Sequence, residues 1–296
     1  MLKKKNLVYF GSPEFSAQVL RSLVGSDYVN IVGVVTQPDK PLGRKQIFTP
    51  SPVAQLAGEL DLPTYKPAQL DAANLAHLSL LKPDIFLVVS YGKIIPPSWL
   101  NTPTIGTFNI HFSLLPKYRG ALCISEAIKN QDEVTGVTLM EMDELLDHGP
   151  IISQSDVTID TTDDVATLTT KLTQAAVQLL ADKLPEICAQ EYPVLGQDES
   201  EATYASKTTS QTRDSSFIGY STLTSAMAGQ NAPKVSALIR SLTPEPGAWT
   251  RISDQELNIR KTHLENDKLV LDTIQLAGKT PISWKQFTAG HKSKFN

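Results

Sequence analysis

The chain predicts an α/β fold, a doubly wound and mostly parallel sheet followed by a smaller β-rich C-terminal domain, on three observations. Leu7 to Phe10 is a short apolar run that ends at Gly11 and passes into Ser12-Pro13-Glu14, the strand, turn and helix start of a parallel unit. Asp84 to Ser90 is apolar almost without a break, as a strand buried on both faces reads. Beyond residue 214 the pattern changes, with helical material over Ser221 to Leu242 and then only short strands, Leu257 to Ile259 and Lys268 to Leu276.

The elements follow in order. Ser12 is a cap candidate for the first helix and Pro13 suits its first helical position, where a missing N–H costs nothing. Asn30 to Thr36 reads as the next strand, Ser51 to Glu59 and Asp71 to Leu81 as helices. After Tyr91-Gly92-Lys93 a short helical stretch leads to a strand ending at His111. Val134 to Met142 and Ile151 to Ile159 complete the sheet, and Thr162 or Asp163 caps a long helix reaching about Ala189. Glu191 to Arg213 is rich in Ser, Thr, Asp and Glu without sustained periodicity and reads as a linker. The expected division is therefore 1–190, a linker over 191–213, and 214–296.

Composition narrows the function. With 296 residues, 41% of them hydrophobic and 20% charged, the chain can bury one sizeable core plus a smaller domain. Lys3-Lys4-Lys5 precedes an apolar run far too short for a signal peptide, and no stretch approaches the roughly 20 apolar residues of a membrane span. Cys123 and Cys188 have no spacing suited to a metal site or disulfide framework, so a reducing cytoplasm, no membrane and no metal are expected. Gly11-Ser12-Pro13-Glu14 lacks the glycine spacing of a dinucleotide fingerprint. Residues 1–205 hold 15 Lys and Arg against 24 Asp and Glu, a net of −9, whereas residues 206–296 hold 12 against 7, a net of +5. A basic small domain is what attraction to phosphates calls for, although a merely solvated surface reads the same way.

The chemistry lies within the first of these domains. Near the end of a strand side chains alternate, so Phe108 and Ile110 point one way while Asn109 and His111 present an amide and an imidazole on the other face. Pro116 and Gly120 then enforce a loop. Such a pair suits acyl transfer to an amine, in which negative charge grows on a carbonyl oxygen and the amine loses a proton. Asp147, if near His111 in space, would favour the charged imidazole. No serine or cysteine nucleophile is required, because the amine attacks. Taken singly, each of these residues is more often structural; the combination is the signal.

Asn109 to Ala121, running Asn-Ile-His-Phe-Ser-Leu-Leu-Pro-Lys-Tyr-Arg-Gly-Ala, resembles the signature of the folate-dependent formyltransferases, and Leu146-Asp147-His148-Gly149 resembles a second loop of that family. The resemblance implies a Rossmann-like catalytic domain that takes a formyl group from 10-formyltetrahydrofolate, with Asn109, His111 and Asp147 carrying the chemistry. It implies that Ser113, Leu114, Leu115 and Pro116 contact the folate. Val88 to Ile94 and Leu139 to Met142 could line a slot for the flat ring or simply be core; Tyr91, Gly92 and Ile94 are retained as weaker folate contacts.

Val35 to Lys45, Thr49 to Val53 and Pro244 to Thr250 resemble the branch of the family that acts on a charged tRNA. That implies initiator methionyl-tRNA as partner, a basic loop in which Lys40, Arg44 and Lys45 meet the acceptor end, and an oligonucleotide-binding type of C-terminal barrel. A monomer is expected. Only 47 residues follow Trp249, and the strands usually found between it and Leu276-Ala277-Gly278-Lys279 are missing, so the barrel is expected to be shortened. Phe112, Leu122-Cys123 and His148 also depart from the family's pattern. A sugar N-formyltransferase shares the catalytic signature and is the alternative enzyme; a folate- or RNA-binding protein with an idle trio is the alternative outside enzymes.

Overall fold

The computed structural model describes residues 3–43, 45–205, 212–252 and 255–290. The chain clusters into two compact units, one of Met1–Ala121, Thr135–Val157 and Thr170–Tyr204, the other of Leu122–Val134, Thr158–Thr169 and Ala205–Asn296.

The first unit is built on β1 (Lys5–Gly11), α1 (Glu14–Leu23), β2 (Val29–Val35), the hairpin β3 (Lys40–Leu42) and β4 (Ile47–Thr49), α2 (Pro52–Glu59), β5 (Thr64–Tyr65), α3 (Ala72–Ser79), β6 (Ile85–Val89), α4 (Pro97–Leu100) and β7 (Gly106–His111). After α5 (Cys123–Lys129) come β8 (Val134–Glu141), β9 (Ile151–Thr158) and the long α6 (Val165–Ala189). Among the described residues a seven-stranded sheet has the order β5-β2-β1-β6-β7-β8-β9. β5, β2, β1, β6 and β7 run parallel, and β8 pairs antiparallel with β7. The expected mostly parallel sheet is present, with its order reversing between β1 and β6. In such sheets ligands bind beyond the carboxyl ends of the strands near that reversal.

Burial explains the central strands. Leu7, Val8, Tyr9, Phe10 and the whole of β6 are buried, because helices cover both faces of a parallel sheet. Phe10 packs on Phe86, Tyr91 and Trp99 with ring centroids 4.9 to 6.3 Å apart. Gly11 is needed for close approach: a Cβ there would meet Ser16 Oγ at 2.0 Å and the Val89 carbonyl at 3.0 Å.

Helix starts follow local chemistry, with two corrections. Ser51 caps α2 by accepting from Ala54 N at 3.1 Å, and Asp71 caps α3 by accepting from Asn74 N at 2.9 Å. At α1 the cap is Pro13, not Ser12, whose hydroxyl instead donates to the Tyr91 carbonyl. Long-range pairing at the carboxyl ends of β1 and β6 has taken the capping group. At α6 the reciprocal cap belongs to Asp164, which accepts from Thr167 N and whose own N–H donates to Thr167 Oγ1. Asp163 is displaced from that role because its carboxylate closes the preceding turn, accepting from Asp160 N and Thr167 Oγ1.

Residues 191–204 are anchored to the first unit through polar pairs, which is why hydrophobic periodicity does not reveal them. Leu195 and Ile151 exchange two backbone hydrogen bonds of 2.8 Å, and Thr203 and Arg119 pair through the main chain at 2.8 Å. The remainder of the 191–213 stretch reaches residues outside the described set.

The second unit holds α5, α7 (Tyr220–Met227), α8 (Ala232–Ser241), β10 (Trp249–Ile252), β11 (Gln255–Glu265), β12 (Lys268–Leu276), β13 (Ile282–Ser283) and α9 (Trp284–Gly290). β10-β11-β12-β13 form an antiparallel sheet in sequence order, and among the described residues no ladder closes β13 onto β10. Its core joins Leu223, Val235, Ile239 and Leu242 of the helical part to Ile259, Leu269 and Leu271 of the sheet. Trp249 is locked by its indole N–H donating to the Arg213 carbonyl at 2.6 Å, with the Arg213 guanidinium 4.6 Å above its ring.

Candidate active site

β7 ends where the sheet opens, and its alternation places Asn109 and His111 on one face and Phe108 and Ile110 on the other. Asn109 is 8% exposed and His111 7%. Phe108 packs edge-on against Tyr192, whereas Phe112, just past the strand, packs at 4.8 Å against Phe15. The residue that departs from the family's pattern after His111 is therefore part of the apolar floor. The Asn109 amide makes no hydrogen bond to another described residue, so its donors and acceptor remain available at the site.

His111 is oriented from two sides. Nε2 lies 3.0 Å from the Tyr118 carbonyl, and since a carbonyl only accepts, this nitrogen carries a proton. Nδ1 faces Asp147 Oδ2 at 3.6 Å, too long for a hydrogen bond and close enough for the carboxylate to stabilise a charged ring. The strand end and the Asp147 loop, far apart in sequence, thus meet.

Asp147 sits in the left-handed region, φ 49°, where an L residue needs its surroundings to hold it. Gly120 N donates to its Oδ2 at 2.7 Å, and the Gln197 amide donates to the carbonyls of Asp147 (2.9 Å) and Gly149 (2.8 Å). Gly149 allows the loop to cross the sheet closely, since a Cβ there would meet the Glu141 carbonyl at 2.1 Å. His148 turns to Asp143, 2.5 Å from Nδ1, with Glu199 3.4 Å from Nε2.

The turn after β7 is held from below. Thr138 Oγ1 donates to the Ser113 carbonyl and accepts from Leu115 N, and Gln154 donates to the Leu115 carbonyl at 2.8 Å. Leu115 packs with Met140 and Ile151. Ser113 is buried and its hydroxyl donates to the Lys117 carbonyl at 2.6 Å. Leu114 and Pro116 are the partly exposed members of the turn. The turn contains a cis Leu115–Pro116 peptide.

The other expected contacts scatter. Tyr91 is buried among Phe10 and its neighbours, and burial pushes its phenol up to about 12. Only its main chain faces outward, accepting from Ser12 Oγ and the Gln37 amide. Gly92, at φ 81°, adopts a conformation glycine tolerates, and a Cβ there would meet Gln37 at 2.6 Å. Ile94 is 89% exposed. Val88, Val89, Leu139 and Met140 are buried core. Lys40 and Lys45 lie on the exposed β3–β4 hairpin, where Lys40 donates to Gln37; Arg44 lies outside the described residues.

Arg119 is the residue whose role the motif hid. It is 1% exposed, and its guanidinium donates to Gln197, to both oxygens of Glu199 and to Tyr204. The Glu199 bond holds Arg119 well above its ordinary range and Glu199 below its own. The available signal was the polar run Gln197-Asp198-Glu199, which composition read as linker. Among the described residues no group of three or more His, Cys, Asp or Glu is arranged to hold a metal ion, and no helix is long and apolar enough to cross a membrane.

Residues 4–184 match the family model described as formyl transferase. Over 254 residues the chain is 39% identical to the methionyl-tRNA formyltransferase of Kosmotoga olearia, covering 86% of this chain and 78% of the relative. It is 40% identical over 262 residues to the methionyl-tRNA formyltransferase of Dictyoglomus thermophilum, covering 88% and 80%. The fold is similar to that of an N-formyltransferase from Helicobacter canadensis, with a TM-score of 0.66 at 19% identity, covering 93% of this chain and 95% of that one.

Proposed function

The chain belongs to the formyl transferase family, and from that premise we propose that it is a cytoplasmic enzyme that moves the formyl group of 10-formyltetrahydrofolate to the α-amine of initiator methionyl-tRNA. The observation that carries this reading is the meeting of Asn109, His111 and Asp147 at the carboxyl end of β7, in a chain similar over most of its length to methionyl-tRNA formyltransferases.

The folate donor supplies an electrophilic formyl carbon; the residues of this chain supply hydrogen bonds and proton management. Asn109 donates its amide to the carbonyl oxygen as negative charge gathers there, and removal of one such donor costs about 3 kcal/mol of barrier. His111 keeps one proton on Nε2, fixed by Tyr118, and carries its mobile proton on Nδ1, the edge beside Asp147. Asp147 stabilises the charged ring. A bond forms between the amine nitrogen and the formyl carbon while the folate nitrogen–carbon bond breaks, so one proton leaves the amine and one arrives on the folate nitrogen.

Ser113 to Pro116 shape the folate side of this site, with Tyr91, Gly92 and Ile94 at its margin. The basic sequence Lys40, Arg44 and Lys45, together with the basic C-terminal part, receives the tRNA, and the protein acts as a monomer without metal. The division into a catalytic part, 1–190, and a tRNA-binding part, 214–296, belongs to this proposal; of the stretch expected as a linker, 191–213, residues 191–204 cluster with the first unit. The test is transfer of labelled formyl from 10-formyltetrahydrofolate to charged initiator methionyl-tRNA, beside uncharged tRNA and a nucleotide-linked amino sugar. Transfer confined to the charged tRNA supports the reading; transfer only to the sugar keeps the catalytic trio and overturns the tRNA assignment.

A further inference from the structure

We propose that the segment Gln197–Tyr204 is a positioning strap for the reaction, in which Gln197, seated on Arg119, holds Asp147 and its loop in register with His111. The proposal rests on the catalytic reading of Asn109, His111 and Asp147 given above.

The strap grips both partners of the His111–Asp147 pair. On the Asp147 side, the Gln197 amide nitrogen bridges the carbonyls of Asp147 and Gly149, the two residues flanking the loop's tightest point. Its oxygen accepts from Nε and Nη2 of Arg119 at 3.1 and 2.8 Å, which fixes which end of the amide faces the loop. On the His111 side, Thr203 Oγ1 accepts from Tyr118 N at 2.8 Å, and it is the Tyr118 carbonyl that holds His111 Nε2. Thr203 also takes the Arg119 N–H on its carbonyl and donates its own to the Pro116 carbonyl. Arg119 ties the two grips together from a fully buried position, donating to Glu199 and Tyr204 of the same segment.

The physical need for such a device is visible at two residues. Asp147 and Tyr118 both have positive φ, 49° and 60°, conformations that cost L residues energy and persist only where neighbours hold them. Each is held by the strap. The 3.6 Å separation of Nδ1 and Oδ2 is not itself a hydrogen bond, so the pair does not fix its own geometry. Misplacement by about 1 Å costs on the order of 100-fold in rate, so a segment that sets the geometry of this pair sets the rate.

Gln197→Glu is the sharpest probe: it keeps length and the acceptor for Arg119 but turns an oxygen toward two carbonyls that need a donor. Formyl transfer would be measured with saturating 10-formyltetrahydrofolate and charged methionyl-tRNA, together with KM for each and the thermal midpoint. The expected result is a fall in kcat of about 10- to 100-fold with each KM within about twofold of wild type. Because the strap acts through Asp147, Gln197→Glu combined with Asp147→Asn should lose little beyond Asp147→Asn alone. A residue that merely supports folding would multiply the losses instead and lower the thermal midpoint in step.

Wild-type kcat in Gln197→Glu, or multiplied losses in the double variant, overturns the strap. Wild-type kcat in Asp147→Asn alone overturns the catalytic reading beneath it, so the two failures are distinguishable. Should Gln197→Glu not fold, Arg119→Lys is compared in the same cycle with Asp147→Asn, since it keeps the charge for Glu199 and loses the fork on Gln197.

Discussion

The Gly120 N–H donates to Asp147 Oδ2 at 2.7 Å, and that same oxygen faces His111 Nδ1. The main chain of one signature loop therefore fixes the carboxylate of the other. The charge that would stabilise a protonated His111 is held by a group that cannot itself titrate.

Asp147→Asn should separate charge from shape. The amide oxygen can still accept from Gly120, but the Asp147 charge beside the imidazole is gone. Turnover should fall by about 100-fold with little change in thermal midpoint, read by single-turnover transfer. Unchanged turnover would mean that the Asp147 charge is not used.

Asn109→Ala should lose kcat and kcat/KM together, by about 100-fold, because its amide is expected to bond more strongly as charge develops than in the bound ground state. A rise in KM with kcat intact would assign Asn109 to binding alone.

Gly136→Ala tests the floor of the loop at Ser113 to Pro116. A Cβ at Gly136 would meet the Ser155 carbonyl at 2.3 Å and Leu114 at 2.5 Å, so backbone as well as side chain must shift. A loss of about 1–3 kcal/mol of stability and a raised KM for the folate donor are expected, measured by denaturant unfolding and kinetics. A stable variant with normal KM would separate Leu114 from the folate.

The Arg119–Glu199 pair carries a pH dependence of known sign. The Arg119 hydrogen bond, helped by the charges of Arg119 and His148 and opposed by desolvation and Asp198, holds the Glu199 carboxyl below its ordinary 4.5. A lowered folded value means the contribution is complete above 4.5 and is lost as pH falls through the folded value. In acid, the protection of the amides around Arg119 and Gly120, taken relative to the intrinsic exchange rate at each pH, should fall from its neutral value by more in the wild type than in Glu199→Gln. An equal fall in both would show that the pair does not hold the loop.

Lys45→Ala, on the exposed hairpin, should weaken tRNA binding and reduce the slope of log affinity against log salt by about 1, the signature of one lost phosphate contact. An unchanged slope would remove Lys45 from the tRNA-binding surface.

The legibility of this protein divides along a physical line. The amino-acid sequence alone determined the parallel sheet, its central strands and the side-by-side presentation of Asn109 and His111, because strand alternation, apolar runs and turn residues are local properties; the short strands β3, β4 and β5 and the helix α5 were not legible in it. It also marked Asp147, through a motif. Only the tertiary structure decided that Asp164 and not Asp163 caps the long helix, that Tyr91 is core with only its main chain outward, and that Gln197 and Thr203 bond to the loops of Asp147 and Tyr118. Those outcomes depend on partners as far apart as Arg119 and Glu199, whose polar contacts leave no periodicity in the chain and exist only once the loops are closed.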